Sequence, residues 1–100
     1  MKSGYKIQWT DHALSELRDI IEYLEENWTD RELKKFSKEL DHIIELISKN
    51  PELFQTSKQK KTVRRAVIAK FNNLYYRQKN ETVEILSLFS NRQDPDKIRI

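Results

Sequence analysis

The chain of 100 residues contains no cysteine, one glycine and two prolines. Without thiols there is no disulfide, no thiolate nucleophile and no cysteine-bound metal. With Gly4 as its single glycine, the chain has no Gly-rich phosphate loop. No stretch approaches the roughly 20 apolar residues of a membrane-spanning helix. The N-terminal MKSGYKIQWT also lacks the apolar run of a secretory signal. These absences lead us to expect a cytoplasmic protein without membrane contact. The two histidines, His12 and His42, have no convergent ligands beside them, so no metal and no cofactor is expected.

Enough is present for a core. Hydrophobic residues make up 37% and aromatic residues 10% of the chain. The length predicts one domain over residues 1–100, with little room for a deep catalytic cavity. A net charge of +3 permits contact with nucleic acid or with an acidic protein and proves neither.

The hydrophobic period changes along the chain. YKIQW alternates, with Tyr5, Ile7 and Trp9 on one side, which predicts a short strand with one wet face. Thr10 and Asp11 supply helix-start chemistry. Leu14, Leu17, Ile21, Leu24 and Trp28 then recur at helical spacing, and Ala13 and Ile20 widen the stripe. This helix should end near Asn27. Thr29 and Glu32 fit a capping box, and Trp28 with Leu33 fits a hydrophobic staple. Leu33, Phe36, Leu40, Ile43 and Ile47 carry a second stripe, with Ile44 beside it. Pro51 ends it, because the residue before a proline disfavours helix. Two long helices with almost no linker predict an antiparallel hairpin.

FQTSKQKKT reads as a basic loop. From Val63 the period is two: VRRAVIAKF is a strand, Asn72 and Asn73 a turn, LYYRQK a strand, Asn80 and Glu81 a turn, and TVEILSLF a strand. Ile85, Leu86, Leu88 and Phe89 serve both faces of the last strand, which predicts a central position. The expected fold is α+β, ordered β-α-α-β-β-β, with a helical hairpin packed on a small, mainly antiparallel sheet.

Arginine recurs on and around the strands. Arg64 and Arg65 should fall on opposite faces, because strand side chains alternate. Arg77 follows on the next strand, and Arg92 and Asp94 come after the last. Lys58, Lys60 and Lys61 lie in the preceding loop, and Lys70 at the first hairpin. Two readings fit this pattern. One is a solvated sheet face charged for solubility. The other is a basic sheet that grips phosphates or carboxylates, a task for which the planar guanidinium fork suits. Tyr75 or Tyr76 would add base stacking to the second, although one of them belongs in the core. Glu25–Glu26 and Glu16 with Asp19 read as solvated helix faces. Ser37 and Ser48 have no neighbouring base to activate them.

Layout and tail together resemble the RelE/ParE superfamily of type II toxin–antitoxin toxins. The likeness begins with IQWTDHALSELRDIIEYLEENW, continues through NPELFQ, and is most specific in RRAVIAKFNNLYYRQKNETVEILSLFSNRQDPDKI, with its Arg-x-Asp-Pro tail. The resemblance implies a small toxin neutralised by a cognate antitoxin. RelE-like members cut messenger RNA on the ribosome; ParE-like members poison DNA gyrase and have no assigned hydrolytic residues. In RelE-like ribonucleases the resemblance implies a catalytic Arg early in the middle strand, where this chain has Asn73. It also implies a late His or Tyr, and none follows Tyr76. LYYR and the short tail with Arg and Asp are closer to the ParE-like pattern. The expectation is a ParE-like toxin acting on gyrase without catalysis. The alternatives are a RelE-like mRNA endoribonuclease and an inactive toxin fold that only binds a partner. Candidate target contacts are Arg64, Arg65, Arg77, Arg92 and Asp94, with Lys61, Lys70 and Tyr76 as further nucleic-acid or target contacts. Leu17, Ile21, Phe36 and Leu40 are the candidate antitoxin contacts.

Overall fold

The computed structural model describes residues 4–27, 29–58, 60–70 and 72–90. Strand β1 spans Lys6–Trp9, helix α1 Asp11–Asn27 and helix α2 Asp30–Lys49. Strands β2, β3 and β4 span Arg64–Ile68, Asn72–Lys79 and Thr82–Ser90. They form one mixed sheet in the order β1-β4-β3-β2. β4 lies between parallel β1 and antiparallel β3, the central position its apolar residues predicted.

Local chemistry sets the helix boundaries. The Thr10 hydroxyl accepts from Ala13 N at 3.1 Å and opens α1. The Thr29 hydroxyl accepts from Glu32 N at 3.4 Å and opens α2. Trp28 of the expected staple lies outside the described residues. Asn50 ends α2, and its side-chain oxygen accepts from Glu52 N at 3.2 Å, turning the chain through Pro51. The single glycine sits where the chain crosses the end of α2. Gly4 has φ +144, and a Cβ there would lie 2.5 Å from the Ser48 carbonyl oxygen.

Both helices pack on one face of the sheet. Ile20 and Leu24 of α1 join Phe36, Leu40, Ile43 and Ile47 of α2 against Ala66, Ile68, Leu74, Tyr76, Val83, Ile85 and Leu88. Each fully buried aliphatic side chain contributes about 1.5–3 kcal/mol of transfer free energy. Three expectations are corrected here. On α1 the stripe centres on Ala13, Ile20 and Leu24, while Leu14 is 40% exposed and Leu17 and Ile21 are half-buried. Small Ala13 lets the helix approach β4, rotating the larger residues outward. Phe36 and Leu40 are buried in this core, so they offer no surface to an antitoxin. Tyr76 is fully buried, so it offers no ring for stacking.

The first hairpin turns earlier than expected. Asn72 and Asn73 belong to β3 and are buried, and the turn falls at Ala69 and Lys70, with φ of +52 and +70. Those left-handed residues are held by side chains rather than by Gly or Asn chemistry. Glu39 Oε2 accepts from Ala69 N at 2.8 Å, and Asn72 Nδ2 donates to the Ile68 carbonyl at 3.1 Å. In the second turn Asn80 takes φ +57, which suits an asparagine. Between β3 and β4 the register steps from Tyr75↔Ser87 to Tyr76↔Ile85, leaving Leu86 as the extra residue of a β-bulge.

Candidate functional site

Alternation along β2 and β3 divides their side chains between two faces. Arg64 and Tyr76 are cross-strand partners on the helix-covered face, and Arg65 and Tyr75 are cross-strand partners on the open face. The inner pair is bonded into the fold. Arg64 Nη1 donates to the Phe54 carbonyl at 2.7 Å, and Tyr76 Oη donates to the Pro51 carbonyl at 2.7 Å. Both therefore anchor the turn that leaves α2. Burial pushes the Tyr76 phenol above its ordinary pKa of 10.0, opposed by the Arg64 charge and a backbone hydrogen bond at Phe54. Arg64 is thus a clamp on carbonyl oxygens.

The outer pair borders a depression of about 610 Å³. Phe54, Thr56, Lys58, Arg65, Val67 and Tyr75 are among its lining residues. Its far wall is the segment after Pro51, which runs along the edge of β2: Arg65 N donates to the Gln55 carbonyl at 3.0 Å, and Ser57 N to the Val63 carbonyl at 2.6 Å. Val67 is 46% exposed, a large apolar side chain two residues from Arg65 on the same face. From Leu53 to Asn80 the chain carries eight Lys and Arg residues and no carboxylate. Apolar Phe54 and Val67 beside Lys58 and Arg65, with no carboxylate among the described lining residues, suit a partner of mixed apolar and acidic character.

The remaining candidates divide. Arg77 is half-exposed on β3, and its Nε donates to Glu84 Oε1 on β4 at 2.7 Å. Lys61 and Lys70 are exposed, the latter on the strained turn. Asn73 is 6% exposed, opposite Val67 on β2 and Phe89 on β4. Leu17 and Ile21 are half-buried on α1 next to exposed Leu14, so part of the expected apolar surface there is available. Arg92 and Asp94 lie outside the described residues. No described helix is long and apolar enough to cross a membrane.

One residue read as solvated is not. Glu16 has a side-chain exposure of 16%. Its Oε1 accepts from Ser87 Oγ at 2.6 Å and Leu88 N at 2.9 Å, and lies 3.2 Å from His12 Nε2. β1 ends opposite Ile85, so the next edge groups of β4 need other partners. Thr10 Oγ1 donates to the Ile85 carbonyl at 3.0 Å, and Glu16 then takes the Leu88 N–H. The signal was in the helical spacing: Glu16 stands three residues after Ala13 and four before Ile20, on the buried stripe.

The family model for the ParE toxin of type II toxin–antitoxin systems matches residues 7–95. No curated protein matches the chain. The fold is similar to that in the chromosomal ParDE toxin–antitoxin system of P. aeruginosa, at TM-score 0.72 and 13% identity, covering 89% of this chain and 98% of that one. It is also similar to a chain of the RelBE2 toxin–antitoxin complex of Mycobacterium tuberculosis, at TM-score 0.57 and 18% identity, covering 93% and 98%. A conserved hypothetical protein of Helicobacter pylori aligns at TM-score 0.54 and 19% identity, covering 89% and 97%.

Proposed function

The chain belongs to the ParE toxin family of type II toxin–antitoxin systems, and from that premise we propose that it arrests growth by binding DNA gyrase through the open face of its sheet, with a cognate antitoxin as neutraliser. The observation that carries the reading is the make-up of that face. Arg65, Val67 and Tyr75 border its depression, and all three are groups that bind rather than transfer protons at neutral pH. Asn73 holds the position where a RelE-like ribonuclease would be expected to carry an Arg, and a neutral amide supplies no cation for a scissile phosphate. The action fits occlusion or trapping of a protein target, not bond cleavage.

A second reading, ribosome-dependent mRNA cleavage, has one observation in its favour. Eight cations without a carboxylate from Leu53 to Asn80 also suit a phosphate backbone. One experiment separates the two. The full chain is expressed from a tight promoter, and mRNA integrity and the DNA-damage response are followed with growth. The purified chain is then added to a gyrase supercoiling reaction. Inhibited supercoiling with intact mRNA supports the gyrase reading. Rapid mRNA cleavage with normal supercoiling overturns it.

A further inference from the structure

A second depression, of about 400 Å³, is lined by none of the described residues that line the first. Three parts of the chain line it: His12 from the first turn of α1, Lys60 and Thr62 from the segment before β2, and Arg77 from β3, of which Lys60, Thr62 and Arg77 bring donors. Val63 and Leu86 add apolar surface. Leu86 is the bulged residue of β4, and a bulge re-aims a side chain that regular pairing would direct elsewhere. Among the described residues, no carboxylate lines the depression. Two carboxylates orient its side chains from outside. Glu84 Oε1 holds Arg77 Nε at 2.7 Å, and Glu16 Oε1 stands 3.2 Å from His12 Nε2. An arginine has five N–H donors, so the bond at Nε leaves the terminal guanidinium nitrogens for a ligand.

We propose that this depression binds the phosphate group of a nucleotide, with Lys60, Arg77 and Thr62 around the phosphate, His12 at its border, and Leu86 and Val63 beneath the sugar or base. Donors converging from separate elements suit a tetrahedral oxyanion better than a planar carboxylate, which pairs with a single guanidinium fork. The volume falls within the range of about 300–1,000 Å³ found for small-molecule sites. The site does not depend on gyrase being the target, because its residues are distinct from those of the Arg65 depression.

The test titrates the full chain, labelled with nitrogen-15, with inorganic phosphate, AMP, adenosine, and a short oligonucleotide with and without a 5′-phosphate. AMP or the 5′-phosphorylated oligonucleotide should shift the amide signals of His12, Thr62 and Arg77, and adenosine should not. Shifts by AMP identify a free nucleotide as sufficient; shifts by the phosphorylated oligonucleotide alone identify a strand end. Lys60→Gln and Thr62→Val lie outside the strands, and Lys60→Gln should weaken binding about tenfold, as loss of a charge-assisted hydrogen bond implies. Arg65→Gln, in the other depression, should leave the affinity unchanged. The proposal is overturned if adenosine binds as well as AMP, if Lys60→Gln and Thr62→Val bind normally, if the shifts centre on Arg65 and Tyr75, or if millimolar phosphate ligands shift nothing.

Discussion

Arg64 opposite Tyr76 and Arg65 opposite Tyr75 are the same pair of residue types, one step apart along the same two strands. One pair faces the helices and the other faces solvent. Inside, the phenol and the guanidinium are consumed by the carbonyls of Pro51 and Phe54. Outside, the same two groups border the depression beside Val67. The difference is one of pleat alone, since each step along a strand reverses the face. Residue type therefore assigns neither role: the inner Arg and Tyr fasten the exit of α2 to the sheet, and the outer Arg and Tyr are left for a partner.

The strongest way to break this comparison is truncation of the two tyrosines. Tyr76→Ala should cost about 3–5 kcal/mol, because it empties a fully buried aromatic site and frees the Pro51 carbonyl. Tyr75→Ala should cost less than half of that, since its ring is half-buried on the open face. Equal losses in chemical denaturation would show that the two faces are not distinct. Arg64→Met comes next. It keeps the aliphatic stem but removes a charge-assisted bond to the Phe54 carbonyl, so about 1.5–3 kcal/mol should be lost, measured the same way.

Tyr76→Phe sharpens the inner role, with a loss of about 1 kcal/mol near neutral pH. Burial raises the folded-state pKa of this phenol above 10.0, the ordinary value. The unfolded phenol therefore ionises first as pH rises. Stability from the neutral phenol is complete below pH 10 and declines as pH climbs towards the folded-state pKa. A denaturation series across alkaline pH should show that decline in the wild type and lack this component in Tyr76→Phe. The smallest expected effect lies at the turn joining the paired strands. Ala69 holds φ +52, so Ala69→Gly should stabilise the fold by about 0.5–1 kcal/mol, seen as a higher Tm. A lower Tm would mean that Glu39 and Asn72 already remove the strain.

The element order was legible in the chain because the hydrophobic period changes from 3.6 to two near Val63, and the Thr29 cap was legible because a hydroxyl there satisfies the Glu32 N–H. The first hairpin turn was not. Asn72–Asn73 is the better turn dipeptide, but Glu39 on α2 fixes Ala69 from a distance in sequence that no local signal reports. Glu16 escaped for a related reason: its partners Ser87 and Leu88 are on the last strand, and only the meeting of α1 with the uncovered edge of β4 makes a carboxylate necessary there. Leu17 and Ile21 kept part of their surface while Phe36 and Leu40 did not, because periodicity marks an apolar stripe without saying which part of it a neighbour covers. At the site, Arg65 was separable from Arg64 by alternation, but which of the two faces solvent depended on the helices.

The most direct test of this division is a paired measurement on Arg65→Glu and Arg64→Met, recording growth arrest on induction and the Tm of each purified chain. The open face as target surface predicts that Arg65→Glu keeps the wild-type Tm and loses growth arrest, while Arg64→Met lowers the Tm. An Arg65→Glu chain that folds normally and arrests growth as strongly as the wild type would contradict it.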